Sequence, residues 1–307
     1  MNPSMYLLTG PTAVGKTALC LRLAKELDAE ILSCDSMQVY KGLDIATAKP
    51  TPAELAAVRH HGIDVFPVDS AANIQAYVQM AAEAVEDIAS RGRNILVAGG
   101  SGFYLKSFLE PVCDEVQVPA AIRKEVATLH QAEGLEGLVE RIHAHNPDGV
   151  GDLDLQNPRR VVRALERCMA TGKTVLELRA ELDSMPAPYP QFQKKTCVLA
   201  RGDEILRDRI QQRTAKMLSD GLLDEVSALL GRGLLRNATA AASIGYREVI
   251  ARLQGRSDPQ SDLAAEINRS TWQLVRRQRK WFRSQLASAR TLDLDACPEP
   301  SIAELFS

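Results

Sequence analysis

The 307 residues are enough for one large domain or two ordinary ones and can bury about three quarters of the unfolded chain's surface. With 45% hydrophobic and 25% charged residues and a net charge of −2, the composition is that of an ordinary soluble protein. The sequence has no apolar run near the roughly 20 residues of a membrane span and no basic signal-peptide start, so we expect no membrane contact and a cytoplasmic location. Six scattered cysteines without a C-x-x-C pair favour reduced thiols over disulfides or a zinc site.

The first predicted elements are a buried strand over residues 5–8 and a helix that opens near Thr17, joined by the loop GPTAVGKT. In a loop of this type, backbone N–H groups converge on phosphate oxygens, the lysine adds charge and the threonine hydroxyl can ligate Mg²⁺. We therefore predict a phosphate site with Mg²⁺ on Thr17; a simple glycine turn is the alternative. The predicted loop residues are Gly10, Pro11, Thr12, Ala13, Val14, Gly15, Lys16 and Thr17.

The second predicted strand, residues 30–33, is followed by Asp35. Ligands of open α/β sheets bind at the carboxyl ends of strands, so this carboxylate is a candidate general base. Capping of the following turn is the alternative role.

Further strands are predicted over residues 63–66, 94–98 and 196–200, alternating with helices. This alternation predicts an α/β fold, a phosphate-loop NTPase-like parallel sheet flanked by helices. A glycine-rich turn around Ser101 follows the 94–98 strand and would let backbone and hydroxyl approach a ligand closely.

Residues 113–194 show only helical patterning, with helices over 120–133, 135–145, 158–170 and 175–181. We expect an all-helical domain, 113–194, inserted into a catalytic core of residues 1–112 and 195–307. After Arg201 the pattern is helical again and ends near residue 289.

Two predicted helices carry arginine stripes. The first spans 158–170, between Asn157 as N-cap and Gly172 as stop. The second covers 270–283. Few glutamates are interleaved at helical spacing, which favours a polyanion, RNA, over a solvated face. The stripes comprise Arg159, Arg160, Arg163 and Arg167, then Arg276, Arg279, Lys280 and Arg283, with Trp272 beside the second.

Seven motifs in order make the chain similar to the tRNA dimethylallyltransferase family, the isopentenyl transferases that modify the adenosine 3′ to the anticodon. They are GPTAVGKT, SCDSMQVYKGLDIATAKP (33–50), HHGID (60–64), VAGGSGFYL (97–105), NPRRVVRALE (157–166), SIGYRE (243–248) and RRQRKWFR (276–283). The sequence departs from the family's usual pattern at Val14, Ala46, Gly62 and Ser101, and only Ala46 raises a question, about the local backbone.

The resemblance implies that the loop holds the diphosphate of dimethylallyl diphosphate and that the dimethylallyl group moves to the adenine amine of a flipped-out adenosine. Asp35, Ser101 and Arg213 are the implied catalytic residues, with Arg209 as the reserve arginine. We expect a monomer acting on the anticodon stem-loop of tRNA. The implied tRNA contacts are Asp35, Ser36, Met37, Gln38, Ser101, Arg123, Arg159, Arg160, Val161, Val162 and Arg163.

Two other functions fit parts of the sequence. A small-molecule kinase would use ATP on the same loop and Asp35 as base for a hydroxyl. An RNA-binding adaptor with a vestigial loop is disfavoured because Lys16, Thr17 and Asp35 are all present. His60 and His61 lack further ligands at metal spacing, which favours a structural role.

Overall fold

The computed structural model describes residues 3–114, 116–258 and 260–306. Its strands are β1 (Met5–Thr9), β2 (Ala29–Ser33), β3 (His60–His61), β4 (Asn94–Gly99), β5 (Lys194–Ala200) and β6 (Arg290–Asp293). They form one sheet in the order β3-β2-β4-β1-β5-β6, and every pair is parallel. The predicted parallel sheet is therefore confirmed. This order places the carboxyl ends of β1, β2 and β4 side by side, where open α/β sheets bind ligands.

Helices connect and cover these strands. They are α1 (Lys16–Glu26), α2 (Pro52–Ala57), α3 (Ile74–Ser90), α4 (Gly102–Lys106), α5 (Ala120–His145), α6 (Pro158–Thr171), α7 (Val175–Ser184), α8 (Asp203–Ser219), α9 (Leu222–Gly231), α10 (Ala238–Ala241), α11 (Tyr246–Leu253), α12 (Leu263–Gln285) and α13 (Ile302–Phe306), with a 3₁₀ turn at Leu234–Arg236. Among the described residues, no helix is both long and apolar enough to cross a bilayer.

The chain divides into two compact units. The sheet unit comprises Met1–Phe108 and Tyr189–Ser307, and the helical unit comprises Leu109–Pro188. In the sheet unit, α1 packs its buried face of Leu19, Cys20 and Leu23 against the apolar strands. Strands that are buried on both faces have continuous apolar sequences. This is why β1 and β4 could be predicted from the sequence.

The helical unit has its own core, built from α5, α6 and α7. Gly134 interrupts α5 with a non-helical backbone (φ 68°, ψ −164°), at the break between two predicted helices. Asn157 caps α6 by accepting a hydrogen bond from Arg160 N, and Gly172 ends α6 in the left-handed conformation, as predicted. The core side chains are Val126, Leu138, Ile142, Val150, Val161, Leu165, Cys168 and Leu178.

The sequence analysis misplaced one strand of the sheet and missed another. The third strand lies at His60–His61 instead of residues 63–66, because Gly62 (φ 75°) and Asp64 (φ 55°) are left-handed and end the extended backbone. Strand β6 was not predicted: the helical pattern after Arg201 was expected to end near residue 289, and β6 follows the end of α12 at Gln285 and pairs with β5. Strands of two and four residues are too short to produce a periodic hydrophobic pattern.

Candidate active site

The loop between β1 and α1 forms one wall of a cleft in the sheet unit. Gly15, with φ 110°, occupies the left-handed region at the start of α1, a conformation that other residues rarely adopt. Lys16 Nζ donates to the carbonyl oxygens of Gly10 (2.7 Å) and Pro11 (2.9 Å). Burial lowers the pKa of Lys16 to about 8, while the charge of Asp35 acts in the opposite direction. The loop therefore presents a partly desolvated ammonium at the base of the cleft.

Three arginines from outside the loop bind its backbone or side chains. Arg213 donates to Thr12 Oγ1 (3.3 Å) and to the Ala46 carbonyl (3.2 Å). Arg209 Nε donates to the Ala13 carbonyl at 2.6 Å. Both arginines considered for the diphosphate thus reach the loop, and Arg213 is the more deeply buried, which lowers its pKa against an opposing contribution from Asp35. Ala46 stands where the family usually has glycine, and it contacts Arg213 through its backbone carbonyl, so the added methyl group leaves this contact in place.

Arg201 is a third arginine at the loop, and sequence reasoning missed it. Its Nε donates to the Val14 carbonyl at 2.8 Å, and its Nη1 contacts Asp295 Oδ1 at 2.5 Å. Asp295 also accepts from Gly202 N at 2.7 Å, so the carboxylate is fixed on two sides. Arg201 and Val14 are 187 positions apart, and the spacing of residues in the sequence does not indicate contacts over such a separation.

Asp35 lies directly beyond β2 and lines the cleft. Its Oδ1 accepts hydrogen bonds from Met37 N (2.8 Å) and Gln38 N (3.3 Å), so the carboxylate does cap the following turn. Among the residues that the structure describes, no hydrogen bond to Oδ2 is found. One oxygen therefore holds the turn while the other can accept a proton, and the two predicted roles of Asp35 are compatible.

The turn after β4 meets the turn after β2 through hydroxyl groups. Ser101 Oγ accepts from Ser36 N (2.9 Å) and lies 3.2 Å from Ser36 Oγ. Gln38 donates weakly to the carbonyls of Thr47 and Ala48 and accepts from Ser33 Oγ at 3.0 Å. Among the residues predicted from the sequence, the structure brings Asp35, Ser36, Met37, Gln38 and Ser101 together on this wall.

The cleft has a volume of about 1100 Å³ and is lined by both walls. This volume is at the upper end of the range of about 300 to 1,000 Å³ that is typical of small-molecule sites. Thr17 lies on the lining, exposed at the first turn of α1. No group of three or more His, Cys, Asp or Glu side chains suited to a metal occurs among the described residues. The Thr17 hydroxyl on the lining is an oxygen donor of the kind that Mg²⁺ accepts, and this ion needs few protein ligands where phosphates and water supply the rest.

Helix α12 forms a further side of the cleft, with a different face from the predicted stripe. Its lining residues include Leu274, Arg277, Gln278 and Trp281, and sequence reasoning did not select Arg277 or Gln278. Arg276 and Arg283 are exposed, as a stripe requires. Arg279 departs from the prediction of a solvent-facing cation.

The Arg279 guanidinium is engaged within the protein. It forms an ion pair with Asp203 and donates to the Arg201 carbonyl at 2.6 Å, and only 28% of its side chain is exposed. Nearby Arg207 stacks over the Trp272 ring at 3.8 Å. The α12 stripe therefore contains two kinds of arginine: Arg276 and Arg283 are exposed, whereas Arg279 is paired within the protein.

The remaining predicted RNA contacts lie in the helical unit. Arg123, Arg159, Arg160 and Arg163 are exposed. Arg160 forms a long, exposed ion pair of 3.7 Å with Asp154, which contributes little to stability. Arg163 pairs at 3.2 Å with Glu166, whose side chain is buried.

Val161 was wrongly included among the RNA contacts predicted from the sequence. Its side chain is fully buried in the core of the helical unit, which leaves it no surface for RNA, and Val162 is half-buried. On a helix, positions 161 and 165 share the inward face while 159, 160 and 163 lie outward.

The two histidines of β3, of which His60 lines the cleft, have local partners. His61 Nε2 lies 2.7 Å from Glu30 Oε2, and His60 Nδ1 lies 2.7 Å from the Val58 carbonyl. Glu30 is also held by two hydrogen bonds from Arg91, and these contacts lower its pKa against the effect of burial. All six cysteines are free thiols, four of them buried.

Comparison with known proteins identifies the family. Residues 38–285 match the model of the family described as IPP transferase. A tRNA dimethylallyltransferase from Opitutus terrae is 52% identical over 95% of this chain and 94% of its own length. One from Roseiflexus sp. is 40% identical over 94% and 92%.

Solved structures give the same result. A tRNA isopentenylpyrophosphate transferase from Bacillus halodurans is 29% identical, with a TM-score of 0.67 over 95% of this chain and 90% of that one. A eukaryotic dimethylallyltransferase acting on tRNA is 24% identical and shares the fold, with a TM-score of 0.82 over 95% and 74%. The chain therefore belongs to the IPP transferase family, together with the tRNA dimethylallyltransferases that it matches along nearly its whole length.

Proposed function

We propose that this cleft transfers the dimethylallyl group from dimethylallyl diphosphate to the exocyclic amine of the adenosine 3′ to the anticodon of tRNA. The products are N6-dimethylallyladenosine and diphosphate. The observation that carries the proposal is that a basic phosphate loop and a carboxylate with one unbonded oxygen line the same cleft. The cations of the loop can stabilise an anionic leaving group, and the carboxylate can accept the proton that the nucleophile must lose.

The donor diphosphate binds at the phosphate loop. Departure of diphosphate from the allylic carbon builds up negative charge on the bridging oxygen, which Lys16 and Arg213 stabilise. Lys16 Nζ now bonds two loop carbonyls, and these weak acceptors are exchanged for phosphate oxygens when the donor binds. Arg209, the more exposed arginine, serves the outer phosphate.

Mg²⁺ is the proposed cofactor, and the Thr17 hydroxyl is the protein group that would hold it. When bound, it supplies charge neutralisation for the leaving diphosphate. The position of Thr17 on the cleft lining is the structural basis for this assignment.

The acceptor adenine binds at the turns after β2 and β4. Its exocyclic amine has a lone pair delocalised into the ring, so attack on the allylic carbon is assisted when a proton leaves the nitrogen. Asp35 accepts that proton at Oδ2 while Oδ1 keeps the turn in place. The C–O bond to diphosphate breaks, the C–N bond forms, and no phosphoryl group moves.

The Ser101 and Ser36 hydroxyls are the proposed hydrogen-bonding groups for the adenine edge. Their mutual contact at 3.2 Å holds Ser101 beside Ser36, the residue that follows Asp35. Each hydroxyl can both donate and accept, which suits the mixed edge of a purine.

The anticodon stem-loop is bound through phosphate contacts from exposed arginines. We assign Arg276 and Arg283 on α12 and Arg123, Arg159, Arg160 and Arg163 in the helical unit to this role. A base inside a stack cannot enter a cleft, so the target adenosine binds flipped out of its loop. We propose that the protein acts as a monomer.

The direct test is product analysis. Incubate the protein with unmodified tRNA and either dimethylallyl diphosphate or ATP, digest the RNA, and identify nucleosides by mass spectrometry. The proposal predicts N6-dimethylallyladenosine at the position 3′ to the anticodon only with the prenyl donor. Absence of the prenylated nucleoside, together with phosphate transfer from ATP in a parallel reaction supplied with small hydroxyl compounds, would instead identify a kinase.

A further inference from the structure

Gln278 on α12 connects the two walls of the cleft. Its Oε1 accepts a hydrogen bond from Thr12 N in the phosphate loop at 2.9 Å. Its Nε2 donates to the Gly100 carbonyl, one residue before Ser101, also at 2.9 Å. One side chain thus spans the proposed donor loop and the proposed acceptor turn.

The chemistry of this bridge is specific to an amide. One wall offers a backbone N–H and the other a backbone C=O, so the bridging group must accept on one side and donate on the other. Glutamate can accept but, when ionised, cannot donate, and methionine of similar length forms neither strong bond. The amide orientation is also fixed, because exchanging its oxygen and nitrogen would oppose donor to donor and acceptor to acceptor.

The glycine turn is shaped to admit α12. A Cβ atom at Gly100 would lie 2.6 Å from Gln278 Nε2, and one at Gly102 would lie 2.5 Å from the Trp281 ring. Gln278 and Trp281 are three positions apart and therefore share a helix face. Ser101 lies between these two glycines, so α12 fixes the backbone on both sides of it.

We propose that Gln278 is a positioning residue that sets the separation between the allylic donor and the acceptor amine. The inference rests on the proposed function. Gln278 forms no bond with the reacting atoms in this account; it holds Thr12 and Gly100, and through them the loop of Lys16 and the turn of Ser101. Rates of group transfer depend steeply on such separations, whereas the affinity of each substrate for its own wall does not.

The test compares Gln278→Met and Gln278→Glu with the unaltered protein. Single-turnover prenyl transfer is measured with saturating tRNA and dimethylallyl diphosphate, and each substrate's Kd is measured separately. We expect transfer to slow by ~10²-fold in Gln278→Met, as for a displacement of about 1 Å, with both Kd values nearly unchanged. Gln278→Glu, the same size but with one bond lost, should be slowed by about tenfold. Gln273→Met, at an exposed position of the same helix, is the matched control and should behave as the unaltered protein.

A second variant tests the same contact from the opposite side. Gly100→Ala places a methyl group against the Gln278 amide and should slow transfer in the same manner. If both act through one bridge, the double variant Gly100→Ala, Gln278→Met will be no slower than the slower single variant.

The outcomes separate the two claims. Absence of transfer by the unaltered protein would overturn the proposed function and this inference with it. Normal transfer by the unaltered protein together with undiminished transfer by Gln278→Glu and Gln278→Met would overturn the inference alone. Variants that weaken substrate binding but keep a normal single-turnover rate would also overturn the inference. Gln278 would then shape the two binding sites without setting the distance between the bound substrates.

Discussion

The two walls of the cleft are built from opposite chemistry. The phosphate-loop wall gathers cations, with Lys16, Arg209 and Arg213 around the backbone between β1 and α1. The wall at the ends of β2 and β4 offers the Asp35 carboxylate and the hydroxyls of Ser36 and Ser101. In the proposed function, stabilising the leaving anion and removing the proton are therefore tasks of different strand ends. Substitutions in the two walls should produce different kinetic defects.

Asp35→Asn should cause the largest loss. Asparagine keeps the size of the side chain and can still cap the turn, but it cannot take the amine proton, so transfer should slow by roughly 10²- to 10⁴-fold. Binding of tRNA and donor should change much less. Single-turnover rates with both substrates saturating measure this step. A near-normal rate would show that Asp35 only holds the turn through Oδ1.

Lys16→Ala should damage the opposite wall in a different way. It removes charge from the donor site and from the leaving diphosphate, so we expect transfer to slow by ~10²- to 10³-fold. Unlike Asp35→Asn, it should also weaken donor binding, because the charge acts on the ground state as well. Titration of dimethylallyl diphosphate against both variants distinguishes the walls. Equal donor Kd values in Lys16→Ala and Asp35→Asn would contradict the assignment of different roles to the two walls.

The pH dependence of donor affinity should follow Lys16. Its depressed pKa of about 8 means that the free protein loses the ammonium charge as pH rises through 8. Donor affinity should then be full below this pH and fall by up to about tenfold per pH unit above it. Lys16→Arg, whose charge persists to higher pH, is the control and should show a flatter profile between pH 7 and 9. Identical profiles would exclude Lys16 as the titrating group.

Individual arginines of α12 should have the smallest effects, and these should differ. Replacing Arg276 or Arg283 by Gln should flatten the salt dependence of tRNA binding by about 0.7 to 0.9 log units for each lost phosphate contact. Arg279→Gln should change the slope less, since that guanidinium is paired with Asp203. Donor affinity should be unchanged in all three. Equal slopes for the three variants would show that pairing within the protein does not decide which arginines bind RNA.

Local features of the site were predictable from the sequence. The phosphate loop and Asp35 each depend on a strand followed directly by a short motif, and neighbouring residues are enough to recognise such a motif. The parallel sheet followed from alternation of apolar strands and helices.

Contacts across the chain were not predictable. Gln278 reaches Thr12 over 266 positions, and Arg201 reaches Val14 over 187. The arginine spacing on α12 showed which positions share a face, but it could not show that Asp203 would pair with Arg279. Such contacts arise from the packing of helices on the sheet, which no local pattern encodes.

The central claim is that the cleft moves a carbon group while the phosphate loop only grips and releases diphosphate. Dimethylallyl diphosphate labelled with ¹⁴C in the prenyl chain and ³²P in the diphosphate tests it in one reaction with unmodified tRNA. The account predicts that all transferred ¹⁴C is found in tRNA and that ³²P is released as free diphosphate in equal amount. Label from ³²P in the RNA, or diphosphate release without ¹⁴C transfer, would contradict it.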